Sequence, residues 1–154
     1  MFFLPLRSRA VCRSASVVSV NLRHADLTTA ILRRTRCVQT DLRGARMVAA
    51  DLRDADFTEA DLREANLRKA DAGGAVFHDA DLRLADLRGS DLSAADLLRT
   101  RLTGALASER TRWPAGFDPV AAGVVLTDDL GPEPPPPLQP PGVTTQHPPL
   151  RSLP

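Results

Sequence analysis

The sequence predicts an all-β solenoid with a square cross-section, and three features predict it. A five-residue block repeats without interruption from Val20 to Gly104, 17 blocks in 85 residues. Aromatic and arginine positions recur inside it at 20-residue intervals. Outside it both periods vanish, and ten of the 13 prolines fall between Pro132 and Pro154.

The block itself excludes the two ordinary elements. Its first residue is Ala in 12 of the 17 blocks, its second Asp or Asn in 12 and its third Leu in 12, whereas the fourth and fifth vary. Ala50-Asp51-Leu52-Arg53-Asp54 and Ala60-Asp61-Leu62-Arg63-Glu64 are representative. On a helix, a step of five rotates successive leucines by roughly 140°, so they scatter around the cylinder. In a continuous strand, an odd step sends them to alternate faces. A chain that bends once per block escapes both difficulties. It buries the first and third residues, presents the second outward and turns at the fourth and fifth.

The longer period gives the cross-section. Phe57 and Phe77 are 20 residues apart, and Arg23, Arg43, Arg63 and Arg83 recur at that interval. Four blocks therefore close one coil, and coils stack at about 4.8 Å, the spacing of neighbouring strands. Phe57 and Phe77 then share an offset and stack on each other.

At this point the blocks carry the motif A(D/N)LXX, and the stretch from Val20 to Gly104 resembles the pentapeptide-repeat family. The resemblance implies a right-handed quadrilateral β-helix. Upstream, Ala10-Val11-Cys12-Arg13-Ser14 and Ala15-Ser16-Val17-Val18-Ser19 hold the same frame, which extends the expected coil to residues 10–104. Residues 1–9 are then a lead-in. After Gly104 the frame breaks, because Leu106 stands one position early, and no further block is expected.

Residues 105–130 are expected to cap the coil. A terminal coil exposes apolar side chains and unpaired backbone that need cover. Trp113 and Phe117 are the large aromatics available for this, either as a lid or as a contact with a partner. Pro119 to Ala122 fits one helical turn. Residues 131–154 are too proline-rich to pack and are expected to form a disordered tail, whose PxxP matches arise from composition alone.

The composition excludes several function classes. Charged residues make up 25% and hydrophobic ones 43%, so neither wholesale disorder nor a membrane protein is expected. A formal charge of +1 lacks the basic excess of a nucleic-acid binder, and direct nucleic-acid binding is not expected. No apolar run is long enough for a bilayer span. The arginines Arg7 and Arg9 follow the apolar opening MFFLPL, the reverse of a secretory signal, which points to the cytoplasm and reduced cysteines.

Candidate chemistry is sparse. His24 and His78 sit at outward variable positions and His147 in the tail, without metal-ligand spacing among them. Cys12 and Cys37 are third-position residues on adjacent faces of different coils, which suits small core residues rather than a disulfide. Gly73-Gly74 lacks the Lys and Ser/Thr of a phosphate loop and reads as an eased corner beside the small centre Ala72. Ten aspartates at second positions suggest a calcium array only until the arginines are placed beside them. Like charges stacked at 5 Å repel by about 0.8 kcal/mol per neighbour in water. A ladder of opposite signs relieves this, with Asp41, Asp61 and Asp81 each two residues before Arg43, Arg63 and Arg83. No catalytic, cofactor or metal site is expected.

The functional expectation is a non-catalytic interaction scaffold with an unknown protein partner. The family resemblance implies an alternative, a modulator of DNA gyrase or topoisomerase that mimics duplex DNA with an acidic rod. It also implies homodimers joined through the C-terminal end. Against mimicry, the four faces of residues 20–104 carry only +1, +2, −1 and −2.

Overall fold

A computed structural model describes residues 11–128. Ala10, the lead-in of residues 1–9, the tail of residues 131–154 and His147 lie outside the described residues. Within them the chain is a stack of square coils. From Val11 onward each block places its second residue in a parallel bridge and its fourth and fifth residues in a turn. Every bridge up to Leu106 joins residue i to i+20, from Val11 with Ile31 to Asp86 with Leu106. The square closes every four blocks, as the sequence requires.

Four bridge columns define four faces. Face 1 carries Val11, Ile31, Asp51, Asp71 and Asp91, and face 2 carries Ser16, Arg36, Asp56, Val76 and Asp96. Face 3 carries Asn21, Asp41, Asp61, Asp81 and Arg101, and face 4 carries Asp26, Arg46, Asn66, Asp86 and Leu106.

The block Ala55–Glu59 shows why the coil forms. The N–H of Ala55 closes the preceding turn on Leu52 O at 3.0 Å, and that of Asp56 reaches one coil back to Thr35 O at 2.9 Å. Phe57 and Glu59 donate one coil forward, to Val76 O at 2.7 Å and His78 O at 2.8 Å. The remaining donor, Thr58 N–H, bonds the Asp56 side chain at 3.0 Å. All five backbone donors are thereby satisfied, as buried or half-buried backbone demands.

This accounting explains the Asp/Asn preference at the second position, which the repeat alone leaves unexplained. The side-chain oxygen accepts the N–H two residues on, an Asx turn. The same bond recurs from Asn21, Asp26, Asp41, Asp51, Asp61, Asn66, Asp71, Asp81, Asp86, Asp91 and Asp96. Asn serves as well as Asp because the acceptor matters, not the charge.

The turn also imposes a conformation. Every fifth-position residue from Ser14 to Gly104 except Ala94 has positive φ, the sign a type II turn needs at that point. Most of them are not glycine, and Thr29 is β-branched with φ of 57°. The stacked ladder therefore overrides a local preference that favours glycine there.

Inside, first- and third-position residues form one continuous core. Leu42, Met47, Leu52, Leu62, Leu82 and the alanines between them are almost fully inaccessible. Phe57 and Phe77 stack at 5.2 Å between ring centroids with planes 7° apart. Where the small first-position residue is polar, its hydroxyl returns to the backbone: Thr40 donates to Val17 O, Ser90 to Leu87 O and Thr100 to Phe77 O. Cys37 is buried, and burial, with Cys12 and Asp56 nearby, pushes its thiol up to about 12. Both cysteines are free.

One expectation needs correction: the coil does not end at Gly104. Leu106–Ala107 (β1) pairs in parallel with Val125–Leu126 (β2), and Asp91 bridges Arg112. The frame break is a single extra residue, since the Asp91–Arg112 step is 21 residues instead of 20. Thr111 absorbs it. Its Oγ1 donates to Leu87 O at 2.9 Å and accepts the N–H groups of Ser108 and Gly89. The chain then completes nearly six coils, a rod of about 28 Å at the strand spacing. The expected helical turn at Pro119 to Ala122 is present as a single turn: the N–H of Ala122 bonds Asp118 O at 3.2 Å, and Asp118 Oδ1 caps it by accepting the N–H groups of Val120 and Ala121.

Leu62 is fully buried while neighbouring Arg63 is half-exposed. Leu62→Asp leaves an unpaired charge in the core, at a cost of several kcal/mol, and should unfold the rod. Arg63→Ala should cost less than about 1 kcal/mol. Urea unfolding followed by circular dichroism compares the two; equal losses would mean the inward and outward assignments are wrong.

Candidate functional site: the ion-paired faces and the C-terminal coil

The expected charge ladder on face 3 is a set of forked ion pairs. Arg43 donates Nε and Nη2 to Asp41 at 2.9 and 2.6 Å, Arg63 does so to Asp61 at 2.8 and 2.7 Å, and Arg83 to Asp81 at 2.8 and 2.6 Å. This bidentate geometry is the strong form of the arginine–carboxylate bond. Arg43 also lies 3.4 Å from Asp61 and Arg63 4.0 Å from Asp81, so these two arginines tie their own coil to the next. The aspartates are half-buried rather than fully outward, because one oxygen is committed to the turn.

Identical forks occur where the sequence reading did not look. Asp51–Arg53 on face 1 and Asp86–Arg88 on face 4 repeat the geometry at 2.6 and 2.5 Å, and the Arg88 side chain is 7% exposed. The Asp-Leu-Arg tripeptide was the available signal for both. His78 Nε2 meets Asp96 Oδ2 at 2.6 Å, so His78 is not simply solvated. Their separation of 18 residues hides the pair until the coil is drawn.

The electrostatics follow from these contacts. Asp41 and Asp51 are held below the ordinary carboxylate range, first by hydrogen bonds from the Arg43 and Arg53 side chains, with burial opposing. For Asp81 burial is the largest influence and pushes upward, but Arg83 and Arg63 together outweigh it. Asp96 is lowered chiefly by the His78 hydrogen bond.

Trp113 and Phe117 stand together in the last coil. Trp113 follows the bridge residue Arg112, which places it at the third, central position of that coil beyond Leu92. Its ring stacks on Phe117 at 5.1 Å and 22°, and both are half-buried against the core. Val120, Val125 and Leu126 remain exposed nearby. Among the described residues no group of three His, Cys, Asp or Glu is placed to hold a metal ion, and no helix is long and apolar enough to cross a membrane.

The pentapeptide-repeat family model matches residues 10–47, 36–71 and 73–106, in eight copies. The chain belongs to the pentapeptide-repeat family. Its right-handed β-helix is that of the family. Among solved structures it is similar to the pentapeptide-repeat protein Rfr23 of the cyanobacterium Cyanothece 51142, at 27% identity over 67% of this chain and 90% of that one, TM-score 0.47. It is also similar to a pentapeptide-repeat protein of the Arabidopsis thaliana thylakoid lumen, at 31% identity over 64% of this chain and 63% of that one, TM-score 0.43. A third, from Nostoc PCC 7120, shares 34% identity over 66% of this chain and 84% of that one, TM-score 0.40. No curated protein matches the chain.

Two expectations follow for this pentapeptide-repeat protein. Asp56→Asn keeps an acceptor for Thr58 N–H, whereas Asp56→Ala removes it. The alanine variant should lose about 1 kcal/mol in urea unfolding and the asparagine variant less than half of that. Equal losses would show that charge, not turn capping, fixes the residue.

The second concerns acid. The folded pKa values of Asp41, Asp51 and Asp81 lie below an unfolded value near 3.9. Their stabilisation is fully present above that value and is lost as pH falls through the folded ones. The urea midpoint should therefore fall below about pH 4. The triple variant Asp41→Asn, Asp51→Asn, Asp81→Asn should show a flatter acid limb, and an unchanged limb would remove these carboxylates from the linkage.

Proposed function

We propose that this pentapeptide-repeat protein is a non-catalytic scaffold that binds a protein partner along its rod. One observation carries the reading. Every non-glycine fifth-position residue from Ser14 to Arg99 is exposed. Their chemistry varies freely, as in Thr29, Arg34, Gln39, Glu59, Lys69, Asp79 and Leu84. The first three positions of each block are spent on core, bridge and capping. Partner specificity is left to the fifth position, held on a rigid ladder at regular spacing. Rigid presentation lowers the ordering cost of binding.

Gyrase or topoisomerase modulation by DNA mimicry is the second reading. It is favoured by the run of aspartates at Asp51, Asp71 and Asp91 on face 1. The arginine forks count against it, because they neutralise the carboxylates that would stand in for phosphates.

Two measurements separate the readings. Chemical crosslinking and affinity capture should recover a reproducible partner, and recovery should fall when exposed fifth-position residues are exchanged together without loss of the circular dichroism spectrum. A gyrase supercoiling assay should show no effect of the purified protein, with or without a quinolone. Inhibition or protection of gyrase would replace the scaffold reading with mimicry, and capture indifferent to the surface exchange would end it.

A further inference from the structure

Counted by face, the charges look unremarkable; counted along the axis, they segregate. On faces 1 and 2 the first two coils, residues 11–19 and 31–39, carry Arg13, Arg33, Arg34 and Arg36 and no acidic residue, a net of +4. The next three coils on the same faces, residues 51–59, 71–79 and 91–99, carry eight acidic residues against Arg53 and Arg99, a net of −6. Faces 3 and 4 show nothing comparable: residues 21–29, 41–49, 61–69 and 81–89 never exceed +1 in any coil. One side of the rod is thus an electrostatic dipole along its axis, and the other carries only a weak positive charge without axial segregation.

That pattern restricts the partner. A uniformly anionic surface, such as a nucleic-acid duplex, would be drawn to the first two coils and repelled by the next three. A uniformly cationic one would suffer the reverse. The matching surface must itself change sign at the same spacing, and this chain supplies one. We propose that two copies pair side by side and antiparallel along the edge where faces 1 and 2 meet, about a two-fold axis between the second and third coils.

In that register residues 31–39, at +3, face residues 51–59 of the second copy, at −3, and residues 11–19, at +1, face residues 71–79, at −2. The two-fold makes each contact twice, as an isologous interface requires. Parallel pairing would set like charges against each other. The groups that would meet are available. Arg34 and Asp54 are 3.8 Å apart within the chain, yet their side chains are 71% and 51% exposed. Arg13, Arg36 and Glu59 are exposed as well. Apolar residues lie among them on the same faces, with Val11 and Val18 exposed and Ile31, Val38 and Val76 half-exposed. This pairing differs from an end-to-end dimer through the C-terminal coil, and it stands or falls independently of the scaffold reading.

Sedimentation velocity with charge-swapped variants tests it. At on the order of 100 µM the full chain should sediment as a dimer in about 20 mM salt and as a monomer in about 1 M, where screening reaches only ~3 Å. The variant Arg34→Glu, Arg36→Glu makes both central coils, residues 31–39 and 51–59, net acidic, and Asp54→Arg, Glu59→Arg makes both net basic. All four changes fall on exposed bridge and turn positions, and circular dichroism is the check that each variant folds. Each variant alone should be monomeric at low salt, whereas an equimolar mixture should restore the dimer mass. A monomer at every salt concentration would overturn the proposal, as would a dimer indifferent to salt or to the swaps. Failure of the mixture to restore pairing would overturn the antiparallel register.

Discussion

The rod rests on one constraint: in a stack of coils about 4.8 Å apart, every backbone donor needs an acceptor at a fixed height. Three of the five donors in a block are met by the coils above and below, and one by the preceding turn. The fifth has no backbone partner within reach, and a short side-chain acceptor two residues earlier provides it. From this come the small first residue, the Asp or Asn at the second position and the apolar third. What reads in the sequence as a five-letter motif is one hydrogen-bonding solution repeated block after block up to Gly104.

Much of this was legible because period is a geometric quantity. The five-residue step excluded helix and strand, the 20-residue step fixed four sides, and Phe57 and Phe77 fell into a stack that their spacing alone required. The positive φ at residues such as Thr29 and Leu84 was not legible. Composition at the fifth position is mixed, and only the ladder forces a left-handed conformation on side chains that locally disfavour it. The last coil was missed for a different reason. One added residue near Ser108 destroys the register by which blocks are recognised, although Thr111 restores it in space through three hydrogen bonds. His78 and Asp96 were hidden by separation in sequence, and Arg53 and Arg88 were overlooked despite sharing the tripeptide of the face 3 pairs.

The aspartates carry two duties at once, and the order of these duties matters for function. Capping the turn is common to Asp and Asn; binding a guanidinium belongs to Asp alone. Where arginine follows two residues later, the carboxylate is fully engaged, as at Asp41 and Asp81. Where it does not, as at Asp71 before Gly73, the carboxylate leans on an arginine of the adjacent coil, Arg53 at 3.4 Å. The acidic character of such a rod is therefore smaller than its aspartate content suggests, and its local sign is set by which arginines accompany which coil.

The square closure also dictates how a protein of this kind changes length. Duplicating or deleting one block of five displaces everything downstream by a quarter turn and moves each surface residue to a different face. A change of twenty residues lengthens or shortens the rod by one coil and returns every later side chain to its former column. Genetic gain or loss in multiples of twenty thus preserves a binding face, while a change of five rewrites it. A single inserted residue, as between Ala107 and Thr111, survives only where a local knot of hydrogen bonds takes up the slack.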